Sequence, residues 1–201
     1  MTLDFILEIF GLLVGLLYLF WEYRADPRFW IASMVMPCIS MWLYFSKGIY
    51  ADFAINIYYL VIAVYGYWNW TRRDPGAPKT AKPEVRITRI TWRTFGLSVL
   101  GTCALWALIS WVLINFTDST IPYADGFTTA LSIVAMWLGA RKIAEQWIAW
   151  LIVDAVTVPI QLSKGLIFYP CLYALYTVIA VFGYLKWLRL SRAATDPVAN
   201  R

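Results

Sequence analysis

Residues 59–70 read YLVIAVYGYWNW, and residues 176–187 read YTVIAVFGYLKW. The same offset of 117 positions pairs residues 24–70 with residues 141–187 without a gap, giving 15 identities over 47 positions. The identical pairs include Arg24 with Arg141, Trp30 with Trp147, Gly66 with Gly183 and Trp70 with Trp187. The chain therefore contains an internal repeat, and the repeat decides the expected fold.

The composition indicates that lipid surrounds most of the chain. Hydrophobic residues make up 61% of the 201 residues and charged residues 14%, whereas soluble domains carry about 25% charged residues. A transmembrane helix needs about 20 apolar residues. Stretches that meet this need, or approach it, lie at 5–21, 29–45, 49–70, 95–116, 126–140, 145–162 and 166–188. The sequence thus predicts an all-α membrane protein with seven transmembrane helices.

The repeat arranges these spans as 3+1+3. We expect a first three-helix repeat in residues 1–70, a basic cytoplasmic loop in 71–94, a linker helix in 95–116, a second three-helix repeat in 117–188 and a cytoplasmic tail in 189–201. Because a single helix joins the repeats, both have the same orientation in the membrane. Parallel repeats of this kind occur in transporters, which bind substrate near the midplane between the halves.

The basic residues predict the orientation. With the loop at 71–94 inside, 15 Lys and Arg residues lie on the cytoplasmic side and only Lys47 and Lys164 lie outside. The N-terminus is then outside and the C-terminus is cytoplasmic; the family resemblance described below implies that the membrane is a bacterial inner membrane. The net charge of +5 is accounted for by this asymmetry and by anionic headgroups. No nucleic-acid partner is expected.

Several functional classes have no support in the residues. The chain contains no histidine, and its three cysteines lack the C-x-x-C spacing of a zinc site. It lacks the phosphate-binding motif of ATPases, and its first residues are not typical of a cleavable signal peptide. We therefore expect no catalytic residues, no metal, no cofactor and no enzyme activity.

The sixth span carries the strongest candidate site. Its polar and aromatic residues recur at spacings of 3, 4, 3 and 4, which places them on one face of a helix. These residues are Trp147, Trp150, Asp154, Thr157 and Gln161. The opposite face, with Ile148 and Ile152 among others, is apolar and suits lipid or other helices.

Asp154 lies in the middle of this span, where an acid costs about 3 kcal/mol. Such a residue should face a cavity, where it binds a cation or carries a proton; alternatively, it bonds to another helix and fixes packing. Trp147 and Trp150 lie one turn apart and could stack on a flat cationic ring. The combination predicts a site for a positively charged heteroaromatic molecule.

Other spans supply further candidates. The third span offers Asn56 and Tyr59, and the seventh offers Tyr173 and Tyr176, all as hydrogen-bonding groups. In the fifth span, Ser132 and its neighbouring threonines suit either a ligand or interhelical contacts. Gly66 and Gly183 are expected to allow close helix packing rather than to contact a solute.

The chain resembles the Pnu family of bacterial vitamin transporters over residues 40–188. The resemblance is carried by residues 65–70 (YGYWNW), by 125–132 (DGFTTALS), by 140–150 (ARKIAEQWIAW), and by Leu172-Tyr173, Tyr176 and Gly183-Tyr184. It implies a 3+1+3 fold like that of SWEET sugar transporters but in inverted orientation, and a homotrimer. It also implies facilitated diffusion of unphosphorylated vitamins, which a cytoplasmic kinase then traps by phosphorylation.

Two positions depart from the nicotinamide riboside branch of that family. The resemblance implies Gln in that branch where Met136 stands here, and Asn where Asp154 stands. An acid suits a thiazolium or an aminopyrimidine, so the sequence favours thiamine, with nicotinamide riboside as the alternative. A non-transporting vitamin-binding protein and a membrane enzyme are the competing classes.

Overall fold

The computed structural model describes residues 15–46, 50–72, 85–163 and 168–193, and these residues form seven helices. Helix α1 covers 15–23 of the described range, α2 covers Arg28–Ser46 and α3 covers Tyr50–Thr71. The later helices are α4 at Trp92–Phe116, α5 at Pro122–Ala140, α6 at Gln146–Ser163 and α7 at Phe168–Ala193. The start of the first predicted span, Lys47, Lys164, most of the basic loop and the end of the tail lie outside the described residues.

The chain divides into two compact units, residues 1–85 and residues 86–201. In the first unit α2 packs on α3. In the second, α4 packs on α5, α5 on α6, and α6 on α7. The helix that was predicted as a linker therefore lies in the second unit against α5.

The helix surfaces are apolar, as expected in lipid. Within the described residues, Trp92–Phe116 and Pro170–Ala193 are long and apolar enough to cross a membrane, and Gln146–Leu162 is a shorter apolar helix. Only 11% of the most apolar 18-residue stretch of α4 is buried, and only 17% of the corresponding stretch of α7. A core helix of a soluble protein would be mostly buried, so these exposed apolar faces favour a lipid environment.

The corner between α1 and α2 and the corner between α5 and α6 have the same backbone. At the end of α1, Ala25 has a φ of 54°, and its N–H donates to Glu22 O at 2.9 Å. At the end of α5, Lys142 has a φ of 63°, and its N–H donates to Gly139 O at 2.9 Å. In each corner the next residue donates its N–H to the carbonyl five residues earlier. Asp26 N–H donates to Trp21 O at 3.0 Å, and Ile143 N–H donates to Leu138 O at 3.1 Å. Both helices thus end in the same left-handed cap, at positions related by the repeat.

A tryptophan packed on a glycine follows each corner. A Cβ on Gly66 would lie 2.5 Å from the Trp30 ring, and a Cβ on Gly183 would lie 2.6 Å from the Trp147 ring. Trp30 and Trp147 are each 1% exposed. Only glycine lets α3 approach α2, and α7 approach α6, this closely. The expectation that both glycines serve packing is confirmed.

A second tryptophan completes the contact in each unit. The Trp30 and Trp70 rings lie 5.9 Å apart at 81°, and the Trp147 and Trp187 rings lie 5.7 Å apart at 88°. Edge-to-face pairs of this kind add about 0.5–1.5 kcal/mol to the burial of the rings. The repeat read from the sequence is therefore also a repeat of tertiary contacts.

Charges then distinguish the two corners. In the first, Arg28 donates to Asp26 at 2.6 Å, and this hydrogen bond lowers the pKa of the Asp26 carboxyl below its usual value. In the second, the position of Arg28 is taken by Glu145, which accepts from Arg89 Nε at 2.6 Å and from Ile90 N at 2.8 Å. The Glu145 hydrogen bond raises the pKa of Arg89 above its usual value. These hydrogen bonds hold residues 88–90 against the corner between α5 and α6.

Candidate functional site

Helix α6 presents the predicted stripe on its buried face. Asp154 is 7% exposed and Trp147 is 1% exposed, whereas Ile148 and Ile152 on the opposite face are each 39% exposed. Trp150, Thr157 and Gln161 are partly buried. The face that was predicted to be apolar and outward is therefore the exposed one.

Asp154 is 7% exposed and has no protein partner among the described residues. No described residue forms a hydrogen bond or an ion pair with it, although the Tyr176 hydroxyl of α7 lies within electrostatic range. An acid with so little exposure normally has a cationic or hydrogen-bonding partner, because little water remains to solvate it. In the described residues Asp154 therefore does not have the interhelical bond that a purely structural acid would make.

Trp150 lies one turn before Asp154 and also has an unused polar group. Its Nε1 is buried and has no hydrogen-bond partner among the described residues. An indole N–H is a donor only, so a ligand acceptor could satisfy it. Trp150 and Asp154 thus place an aromatic ring, a free donor and a carboxylate on one face of a helix.

Trp147 has a different position. Its ring packs against Gly183 and Trp187 and is almost completely buried. Its Nε1 also has no partner within the described residues, but the same is true of Trp30 at the equivalent position. A feature present in both units belongs to the packing of the repeat, so the contacts give Trp147 a packing position rather than an open ring face.

Hydroxyl groups around the stripe donate to their own helices. Thr157 Oγ1 donates to Val153 O at 2.7 Å, and Ser132 Oγ donates to Thr128 O at 2.8 Å. Each hydroxyl oxygen keeps acceptor capacity for a ligand. Met136, on α5 one turn after Ser132, is 8% exposed.

The tyrosines of α7 form a pair beside α6. The Tyr173 and Tyr176 rings lie 6.0 Å apart at 83°, and both side chains are partly buried. In the first unit, Asn56 and Tyr59 lie on α3 and are also partly buried. Tyr59 contacts Tyr58, with ring centroids 5.8 Å apart.

The polar stripe of α6 is not repeated in α2. The positions of Trp150, Asp154 and Thr157 correspond to Ser33, Pro37 and Ser40. Ser33 Oγ donates to Trp30 O at 2.8 Å and so serves its own helix. The Trp–Gly packing is present in both units, whereas α2 has no counterpart of Trp150 and Asp154 of α6.

Sequence reasoning missed the bonds of Glu145. The residue lies 56 positions from Arg89 and 55 from Ile90, so no local spacing relates them. The sequence did contain a signal, because the repeat pairs the position of Glu145 with that of Arg28. The side-chain charge at this position is therefore reversed between the two corners.

Seven described helices, a Trp–Gly packing contact found in both units and exposed apolar helix faces define an all-helical protein with an internal repeat. A sequence model described as nicotinamide mononucleotide transporter matches residues 5–189. The chain belongs to this family, and the resemblance to Pnu vitamin transporters is confirmed.

Three relatives show the range of the similarity. The riboflavin/roseoflavin transporter RibM of Streptomyces davaonensis is 29% identical over 140 residues, covering 69% of this chain and 64% of that protein. The nicotinamide riboside transporter PnuC of Neisseria mucosa is 27% identical over 175 residues, covering 80% of this chain and 65% of that protein. PnuC of Escherichia coli is 24% identical over 177 residues, covering 75% and 71%. These relatives are transporters and not enzymes, and the chain spans slightly less than two thirds of the first two.

A solved structure shares the fold. The crystal structure of the vitamin B3 transporter PnuC matches with a TM-score of 0.67 and 20% identity, covering 90% of this chain and 80% of that chain. The all-helical architecture predicted from the sequence is thus confirmed at the level of the fold.

Proposed function

We propose that this protein is a membrane transporter for an unphosphorylated, cationic aromatic B-vitamin, with nicotinamide riboside as its substrate. The observation that carries the proposal is the Asp154 side chain, which is 7% exposed, has no protein partner among the described residues and lies one turn from Trp150 with its unused N–H. The pyridinium ring of nicotinamide riboside would supply the missing positive charge. Its carboxamide and ribose oxygens would accept from Trp150 and bond to Thr157, Gln161 and the α7 tyrosines.

The choice of vitamin differs from the one that the sequence favoured. Thiamine has no support among the relatives described above, whereas two of them are nicotinamide riboside transporters. Asp154 serves a pyridinium as well as a thiazolium, because both rings are cationic. Met136 and Asp154 therefore do not outweigh the family evidence.

The stripe favours the unphosphorylated form of the vitamin. Helix α6 contains no Lys or Arg between Gln146 and Ser163, and its one charged residue is the acidic Asp154. A phosphate buried near that carboxylate would add a second unpaired negative charge. We therefore propose facilitated diffusion of the nucleoside form, followed by trapping through a cytoplasmic kinase.

Membrane arrangement is part of the same proposal. The matching caps and Trp–Gly contacts support two parallel three-helix repeats joined by α4, in the SWEET-like 3+1+3 pattern with inverted orientation. The distribution of basic residues supports an N-terminus outside and a cytoplasmic C-terminus in a bacterial inner membrane. We propose a homotrimer, as in the family that the sequence resembles.

Calorimetric titration of the purified protein tests the substrate. We expect nicotinamide riboside to bind at least about 10-fold more tightly than nicotinamide mononucleotide, because the phosphate has no basic partner on α6. Thiamine and riboflavin serve as the parallel ligands. Tight binding of thiamine alone would restore the first interpretation, and equal binding of the mononucleotide would contradict the proposed form of the substrate.

A further inference from the structure

A groove of about 540 Å³ lies on the second unit, on the face of α6 that points away from Asp154. Helices α4 and α6 form its walls and α5 forms its floor, because α4 packs on α5 and α5 on α6 without direct packing of α4 against α6 in the described residues. The lining includes Val99 and Cys103 of α4, Leu131 of α5 and Ile152 of α6, and it is almost entirely apolar. Helix α4 lies outside the two ranges that the repeat pairs, so this groove is not a feature of the repeat.

One end of the groove carries charge. Arg89 and Glu145 line this end, and both Glu145 oxygens are engaged, by Arg89 Nε at 2.6 Å and by Ile90 N at 2.8 Å. The Glu145 side chain is 11% exposed, whereas that of Arg89 is 51% exposed. Arg86 and Arg93 are exposed on the same short segment. The accessible charge at this end is therefore positive.

The depth of the groove matches one leaflet of a bilayer. From Leu138 at the charged end to Phe127 at the other, α5 advances eleven residues, or about 16 Å. This is roughly half of the 30 Å hydrocarbon thickness. An acyl chain lying in the groove would thus place its headgroup at Arg89 and its methyl end near the midplane.

We infer that this groove binds an anionic phospholipid of the leaflet that faces the Arg89 end. The acyl chain lies against the apolar walls, and the phosphate contacts the exposed Arg89 guanidinium, with Arg93 nearby in sequence. The inference requires that the helices span a membrane, but it does not depend on which vitamin is transported. A neutral lipid would fill the same walls without gaining the charge interaction.

Quenching by brominated lipids tests the groove, because the three cysteines are exposed and one of them lines it. In the test chain, Cys38→Ser and Cys171→Ser leave Cys103 as the labelling site for a small fluorophore. In the control chain, Cys38→Ser and Cys103→Ser leave Cys171 as the labelling site. Both are reconstituted in phosphatidylcholine vesicles with increasing brominated phosphatidylglycerol or brominated phosphatidylcholine. At Cys103 we expect about a 5-fold preference for the anionic lipid, the gain expected from one arginine near the surface. Cys171 should show none.

Two further variants separate charge from shape. Arg89→Gln in the Cys103 chain should remove the anionic preference. Because this change also disturbs Glu145, Val99→Trp provides a second test, since it fills the groove without altering a charge, and Leu100→Trp on the exposed surface of the same helix is its control. Val99→Trp should reduce quenching at Cys103, and Leu100→Trp should not.

Three results would overturn the inference. Equal quenching by the two lipids at Cys103 would show that the groove does not select charge. The same anionic preference at Cys171 would make the effect a general surface property. Absence of quenching at Cys103, together with disulfide cross-links between copies through Cys103, would mean that a second copy of the chain covers the groove.

Discussion

Replacement of Asp154 by alanine is expected to weaken nicotinamide riboside binding by about 10- to 100-fold, which corresponds to the loss of one charge-assisted contact of about 1.5–3 kcal/mol. The same variant without ligand should be at least as stable as the native protein, because the removed carboxylate has no partner among the described residues. Calorimetric titration and thermal unfolding in detergent measure the two effects. The affinity of Asp154→Asn for nicotinamide riboside should lie between those of the native protein and Asp154→Ala, since an amide keeps an acceptor but loses the charge.

The control for Asp154→Asn is Asp118→Asn, which makes the same chemical change at an exposed position outside the helices. It should leave both binding and stability unchanged. If Asp154→Ala instead destabilised the ligand-free protein and bound the vitamin normally, Asp154 would be a packing residue. The interpretation of the α6 stripe as a site would then be wrong.

Substitution of Gly183 by alanine is expected to destabilise the fold by about 1–3 kcal/mol, the usual cost of overpacking a core. The new Cβ would lie 2.6 Å from the Trp147 ring, which is buried on all sides and cannot move easily. Gly66→Ala should have a similar effect, because its Cβ would lie 2.5 Å from Trp30. Thermal unfolding of the purified variants measures both changes.

Two glycines of α4 offer matched controls for this prediction. A Cβ on Gly96 or Gly101 would meet nothing within 4 Å beyond its chain neighbours and the backbone of its own helix, so alanine there faces open space. Alanine favours a helix over glycine by up to about 1 kcal/mol, and these variants should be as stable as the native protein or slightly more so. Equal stability of Gly183→Ala and Gly96→Ala would contradict the packing role of the glycine.

The helices could be predicted well because lipid fixes the length of an apolar span. The second span was expected at 29–45 and is found at Arg28–Ser46, and the third was expected at 49–70 and is found at Tyr50–Thr71. The largest differences occur where a helix leaves the apolar region. Helix α7 continues to Ala193 through basic residues that favour a helix without favouring lipid, and α5 begins at Pro122, a residue typical of a first turn.

The candidate site could be predicted only in part. Helical spacing placed Asp154 and Trp150 on one buried face, since both lie on a single helix. The same spacing included Trp147, but its packing against Gly183 depends on how α7 approaches α6, and spacing along one helix carries no information about that. The repeat did contain the answer, because a tryptophan and a glycine kept at the same offset in both units indicate packing.

Uptake of radiolabelled nicotinamide riboside into vesicles that contain only the purified protein tests the central claim most directly. Without kinase, ATP or an imposed ion gradient, the account predicts saturable entry of the unchanged molecule until inside and outside concentrations are equal, with little entry of nicotinamide mononucleotide. Binding without entry would indicate a non-transporting vitamin-binding protein, and chemical conversion of the solute would indicate an enzyme. Either result would contradict the account.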